Sequence, residues 1–166
     1  MRVKRLLVMR HAKSDWSSPD REDFDRPLNK RGRKDVPRVA GFLEACAGPP
    51  DLVLASAAVR AQETAARLVE ELEEGPQLVL DGRLYMSGPE TLSEVLAATA
   101  GKAGTVLVIA HNPGMEQWIA RLTGARVRLP TAAVACVDLD TPRWEGPLEG
   151  ELQWLVTPRL LRSLGW

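Results

Sequence analysis

Four short runs of nearly unbroken apolar residues mark the first two thirds of the chain: 3–9, 51–55 (DLVLA), 77–80 (QLVL) and 105–110 (TVLVIA). Their length and valine–leucine content predict buried strands. Between them apolar positions recur at helical spacing, which predicts helices over 31–46, 59–74, 89–100 and 114–123. In the second of these, Ala61, Ala65, Leu68, Val69 and Leu72 form one face, and Glu70, Glu71, Glu73 and Glu74 the polar side. Gly75-Pro76 then ends it. Pro37 lies inside the first helical segment and places its expected start near residue 35. Continuous apolar strands alternating with helices predict a largely parallel sheet covered on both faces. After Gly124 the pattern changes. Residues 132–140 and 151–158 are consecutive strand-like runs separated by a loop with Pro142, Gly146, Pro147 and Gly150. A hairpin at the sheet edge, with one antiparallel edge strand, is expected. The fold class is therefore α/β, a three-layer αβα sandwich, read as a single domain over 1–166. The closing "RLLRSLGW" (159–166) suits either a capping helix or an exposed apolar contact.

Composition narrows the partners. Of 166 residues, 45% are apolar and 27% charged, with 22 basic and 22 acidic side chains, so no global field favours nucleic acid or membrane. Any anion site must come from local clustering. Cys46 and Cys136 lack metal-ligand spacing and read as buried free thiols. Arg2, Lys4 and Arg5 before Leu6–Met9 imitate a leader, but that apolar run is too short and Arg10 ends it. No stretch approaches membrane-spanning length. A cytoplasmic protein is expected.

Ligands of open parallel sheets bind beyond the carboxyl ends of the strands. After the first strand comes Arg10-His11-Ala12-Lys13; after the second, Ser56, then Arg60; after the fourth, His111-Asn112-Pro113-Gly114. Both histidines of the chain fall at this one edge. Each residue alone has an ordinary explanation: Ser56 as a helix cap, Arg60 as a helix-surface charge, Pro113 as a first-turn proline, His11 as a structural histidine. Together they suit phosphoryl chemistry. Arginine forks match phosphoryl oxygens, and helix N-termini add N–H donors. A neutral histidine keeps a lone pair able to attack phosphorus. Competing motifs are missing: there is no GxxxxGK[ST], GxGxxG or HExxH, and no paired CxxC, so neither metal nor cofactor is expected.

The "RH" after the first strand, the block Ser56-Ala57-Ala58-Val59-Arg60-Ala61-Gln62-Glu63-Thr64-Ala65, and the late "HNPG" resemble the histidine phosphatase superfamily, with its phosphoglycerate mutase-like fold. The short length, "DRPLNKRG" (25–32) and "AHNPGM" (110–115) look most like SixA-type phosphohistidine phosphatases. The resemblance runs from the first strand to about Pro158. It implies His11 as a transiently phosphorylated nucleophile and Arg10 and Arg60 as holders of the phosphoryl oxygens. His111 would complete the cage, with Ser56 and Lys13 among the substrate-binding residues. Such a reaction needs no metal.

Two departures bear on the substrate. Larger members carry an acidic proton donor after the third strand, where this chain has "GRLYMSG" (82–88), with Tyr85 and Met86 and no carboxylate. Asp15, Asp23 and Asp25 are possible substitutes, or simply loop charges. No long insertion roofs the site, which suits a protein-borne substrate, and Arg26, Lys30, Arg31 and Arg33 are placed to flank the entrance. The expected substrate is a phosphohistidine on a partner protein. A small phosphorylated molecule is the alternative, and a non-catalytic phosphate-binding module is a third reading.

Overall fold

The computed structural model describes residues 3–166; Arg2, part of the leader-like start, lies outside them. Six strands form one sheet: β1 (Lys4–Arg10), β2 (Leu52–Ser56), β3 (Gln77–Asp81), β4 (Thr105–Ala110), β5 (Val134–Leu139) and β6 (Gly150–Val156). Their order is β3-β2-β4-β1-β5-β6. The first four run parallel; β5 pairs antiparallel with β1, and β6 antiparallel with β5. The antiparallel strand is thus one position in from the edge, and β6, the true edge, runs with the parallel set. The other edge, β3, is only partly buried, unlike the fully buried strand its apolar run suggests.

Two apolar layers sandwich the sheet, an α/β arrangement. In β1, Leu6 and Val8 face one core and Leu7 and Met9 the other, all with no exposed surface. The period-two alternation of a strand divides a continuous apolar run between both faces. Helices α3 (Pro89–Thr99) and α4 (Gly114–Thr123) cover the first face, with Trp118 and Trp144 filling its core. Helices α1 (Lys30–Phe42), α2 (Val59–Glu71) and α5 (Pro158–Ser163) cover the second. No helix among the described residues is long and apolar enough to cross a membrane.

Three local expectations change. Helix α1 begins at Lys30 rather than near 35, because the Asn29 side chain accepts from the Gly32 N–H at 2.8 Å and caps it. Pro37 remains inside; the carbonyl it would have served belongs to exposed Arg33, where water can replace the lost bond. Past Phe42 the chain widens into a π-type turn, Leu43–Ala47, which leaves Cys46 exposed, while Cys136 is buried as expected. The segment 159–166 does both things considered for it. Leu161 is fully buried, and Leu160, Leu164 and Trp166 stay exposed.

Candidate active site

Strands β2, β4 and β1 are neighbours and parallel, so their carboxyl ends deliver Ser56, His111 and Arg10-His11 to one place. The reversed β5 starts beside them: the Ala132 N–H donates to the carbonyls of Arg10 and His11. Arg10, His11 and His111 border a pocket of about 440 Å³. A larger cleft, about 660 Å³, lies at the opposite end of the strands and holds Lys4, Arg5, Asp51, Lys102 and Asp138. It contains no histidine, and Arg5 there is tied to Asp138 at 2.8 Å. The smaller pocket, which gathers both histidines, is the candidate site.

His11 is almost buried, and its Nδ1 lies 2.7 Å from the Ala12 carbonyl. A carbonyl only accepts, so Nδ1 carries the hydrogen and Nε2 keeps its lone pair. Arg60 Nε donates to that Nε2 at 3.3 Å. Burial pushes His11 down to about 3 against the opposing pull of the Ala12 carbonyl, with His111, Arg60 and Arg10 adding to the shift. The ring is neutral at physiological pH. Thr64 supports the arrangement by donating to the Arg60 carbonyl at 2.6 Å and accepting from the Ala12 N–H at 3.0 Å.

His111 stands with its ring centre 5.1 Å from that of His11. Its Nε2 lies 2.8 Å from Ser56 Oγ, which also accepts from the Ala58 N–H. The serine keeps a proton to donate, which lets His111 hold its own hydrogen on Nδ1, a buried atom with no partner among the described residues. Burial and the nearby arginines, Arg60 foremost, push His111 down to about 4, against the opposing charge of Asp23. Arg10 reaches the Leu129 carbonyl at 3.4 Å, while its buried Nε is also unpaired. Two residues that line the pocket, Arg10 and His111, thus each carry a buried nitrogen with no partner among the described residues.

The third wall was not legible as such in the sequence. Asp23 sits in a short 3₁₀ turn, Asp23–Asp25, and is held from three sides. Arg60 donates to its carboxylate at 3.0 Å and to its main-chain carbonyl at 2.6 Å. Arg26 donates at 2.9 Å, and the Tyr85 hydroxyl at 2.6 Å. The Tyr85 bond, then Arg26 and Arg60, hold the Asp23 carboxyl far below its usual range against a smaller opposing effect of burial, and Tyr85 is raised by the same bond. Arg26, itself buried, also donates to Ser14. Tyr85 packs edge-on to His111, with ring centres 5.4 Å apart.

The residues read from the sequence sort as follows. Arg10, His11, Arg60 and His111 converge, and Arg60 is buried rather than a surface charge. Lys13 lines the pocket from an exposed position. Ser56 does not line it; fully buried, it stands behind His111 and does not cap α2. Of the three aspartates only Asp23 borders the pocket. Asp15 turns back on the Ser17 N–H, and Asp25 is exposed outside. Of the basic group at the entrance, Arg26 enters the pocket, whereas Arg33 is paired with Glu63 at 2.8 Å. Among the described residues no three His, Cys, Asp or Glu side chains gather as metal ligands would.

Comparison with known proteins adds a family. Residues 6–85 match the model of the histidine phosphatase superfamily, branch 1. An uncharacterized protein of Mycobacterium leprae is 30% identical over 150 residues, spanning 82% of this chain and 90% of that one. The structure of the protein histidine phosphatase SixA complexed with tungstate superposes with a TM-score of 0.81 at 25% identity, over 95% of this chain and 99% of that one. A mycobacterial glucosyl-3-phosphoglycerate phosphatase shares the fold, with a TM-score of 0.70 at 17% identity, over 92% and 98% of the two chains.

Proposed function

Because the chain belongs to the histidine phosphatase superfamily and is a phosphatase, we propose that it works through a phosphohistidine on His11 and that its substrate is a phosphohistidine side chain of a partner protein. His11 Nε2, neutral and already in the required tautomer, attacks phosphorus. The new N–P bond forms as the substrate's P–N bond breaks, and the electron pair passes to the departing ring nitrogen. Arg10 and Arg60 hold the phosphoryl oxygens, and the hydrogen on His111 Nδ1 stabilises the charge that grows on them. Water then attacks the phosphorus on His11, releases inorganic phosphate and restores the neutral ring. Lys13, at the mouth, adds attraction for the incoming anion.

The observation that supports the substrate class is the state of the one carboxylate in the pocket. Asp23 is bound by two arginines and a tyrosine hydroxyl and is held ionised. It has no proton to give a departing alkoxide. A phosphohistidine already protonated on its far ring nitrogen leaves as neutral imidazole and needs none. A small phosphate monoester with an alkoxide leaving group is served far less well by such a pocket.

The test compares phosphohistidine proteins and peptides with a panel of metabolite phosphates, and adds monoesters graded by leaving-group pKa. Phosphohistidine should be turned over fastest, and the phosphorylation step should slow steeply as leaving-group pKa rises. A flat series with rapid turnover of a metabolite would transfer the assignment to a small-molecule phosphatase. Binding of phosphorylated partners with no turnover of any substrate would make this a recognition module.

A further inference from the structure

Two of the exposed large apolar side chains, Trp16 and Met86, line the pocket, and a third, Phe24, packs against the ring of its neighbour Tyr85. Trp16 is 72% exposed, Met86 54% and Phe24 37%. Single exposed apolar residues are ordinary, but two on the wall of a charged pit, with a third packed beside them on Tyr85, are not.

This group is held in place by the pit's own bonds. The Trp16 ring lies over the Arg26 guanidinium at 3.5 Å, and Arg26 is fixed to Asp23. Asp23 is fixed in turn to Tyr85, against whose ring Phe24 packs edge-on with centres 5.0 Å apart. Met86, next in the chain, is held at φ +50°. That left-handed conformation is unfavourable for an unbranched residue with a Cβ, and is kept only where surrounding structure imposes it. An ordered apolar arc therefore runs along one side of the anion site.

A leaving group on a phosphoryl seated among Arg10, Arg60 and His111 would have Trp16 and Met86 on one part of the pocket lining, and Lys13, Asn112 and Thr131 on another. The arc offers indole, phenyl and thioether faces and no array of hydrogen-bonding groups of the kind a sugar would use. We infer that Trp16, Phe24 and Met86 form a specificity rim that binds apolar side chains flanking a phosphohistidine in a partner protein. The inference rests on the phosphohistidine reading above. Cationic pit and apolar rim together match a segment in which a dianionic phosphoryl group stands beside apolar neighbours. Surface residues that meet such a segment bind it without touching the reacting bond, so they act on KM rather than on the chemical step.

The experiment uses phosphohistidine peptides with either apolar or Ser/Gly flanks, and phosphoramidate as a substrate with no flanks. Wild-type enzyme should prefer the apolar-flanked peptide. Trp16→Ser and Met86→Asn should each lower kcat/KM for that peptide by roughly tenfold or more, through KM, the size expected for an exposed anchor at an interface. Asparagine tolerates the left-handed backbone, which keeps the second variant free of a folding effect. Turnover of phosphoramidate should stay within about twofold in both. Equal losses on phosphoramidate and peptide would overturn the inference, as would a wild-type enzyme indifferent to flanks. Wild-type failure on every phosphohistidine peptide, with turnover of phosphoramidate intact, would instead strike the substrate reading first and take the rim with it.

Discussion

Mild acid should destabilise this protein before any carboxylate titrates. In the native state His11 is held down to about 3 and His111 to about 4, both chiefly by burial. In the unfolded chain each returns to about 6.5. A depressed native value means that stability is whole above pH 6.5 and is lost as pH falls toward the native values. At pH 5 the unfolded chain binds nearly two protons that the native state refuses, a slope approaching 2.7 kcal/mol per pH unit. Integrated from pH 7 to pH 5, the loss is about 4 kcal/mol, split about equally between the rings. Unfolded carboxylates titrate mostly below this window, so it isolates the histidines. A domain whose total stability is of the order of 5–15 kcal/mol cannot hide such a change. Urea unfolding at 25 °C between pH 7 and pH 5 measures it, with His11→Gln and His111→Gln each removing about half the dependence. A wild-type loss below about 1 kcal/mol, or a full loss in the double variant, would refute the argument that both rings are buried neutral.

Four further outcomes are expected. His11→Ala should abolish turnover, and wild-type enzyme quenched without acid should carry alkali-stable, acid-labile phosphate on His11; label on serine or a carboxylate would end the covalent scheme. Arg60→Lys should cost roughly 10²–10³ in rate, because lysine keeps the charge but not the fork that reaches both His11 and Asp23; near-normal kinetics would remove Arg60 from the proposed clamp. Asp23→Asn should tighten inorganic phosphate roughly tenfold by removing a negative charge from the same arginines, read by calorimetry; weaker binding would mean that Asp23 matters more for aligning Arg60 than for opposing the anion. Gly114→Ala should destabilise the protein and lower activity together, since a Cβ there would meet the Ser87 carbonyl oxygen at 2.0 Å; a neutral result in denaturation would show that the loop yields easily.

What the sequence reveals here follows from what has a period. Strands and helices announce themselves by apolar spacing, and the residues directly after β1, β2 and β4 inherit their position from those strands. Hence His11, Arg10 and His111 were legible, and so was Arg60, one turn into a helix that starts at the same edge. Loop 15–28 has no period. Its shape is set by bonds to distant residues: Asp23 to Arg60, 37 positions away, and Asp23 to Tyr85, 62 positions away. No local rule finds those pairs. The same limit explains Cys46, whose exposure depends on a widened turn that a helical pattern does not encode. It also explains β5, whose alternation marks a strand but says nothing about whether β6 will lie outside it.

Two glycines seat the pocket's histidines by direct backbone contact. At Gly32 a Cβ would meet the Lys13 carbonyl oxygen at 2.2 Å, so the start of α1 rests directly on the main chain just past His11. At Gly114 the start of α4 rests likewise on Ser87, two residues beyond Tyr85. Backbone against backbone leaves no side chain to rotate or compress at either contact. The seats of His11 and His111 are therefore clamped, each to its own helix. The segment from Asp15 to Asp25 has no glycine contact of this kind: the Asp15 N–H donates to the Pro27 carbonyl at its start, Trp16 lies over Arg26, and Asp23 is bound by Arg60, Arg26 and Tyr85. The stretch that carries Trp16 and Phe24 is thus fixed through side chains, where the two histidines are fixed through backbone contact. Substitutions in that stretch leave both backbone contacts untouched, so the outer wall of the pocket can be altered without shifting either histidine.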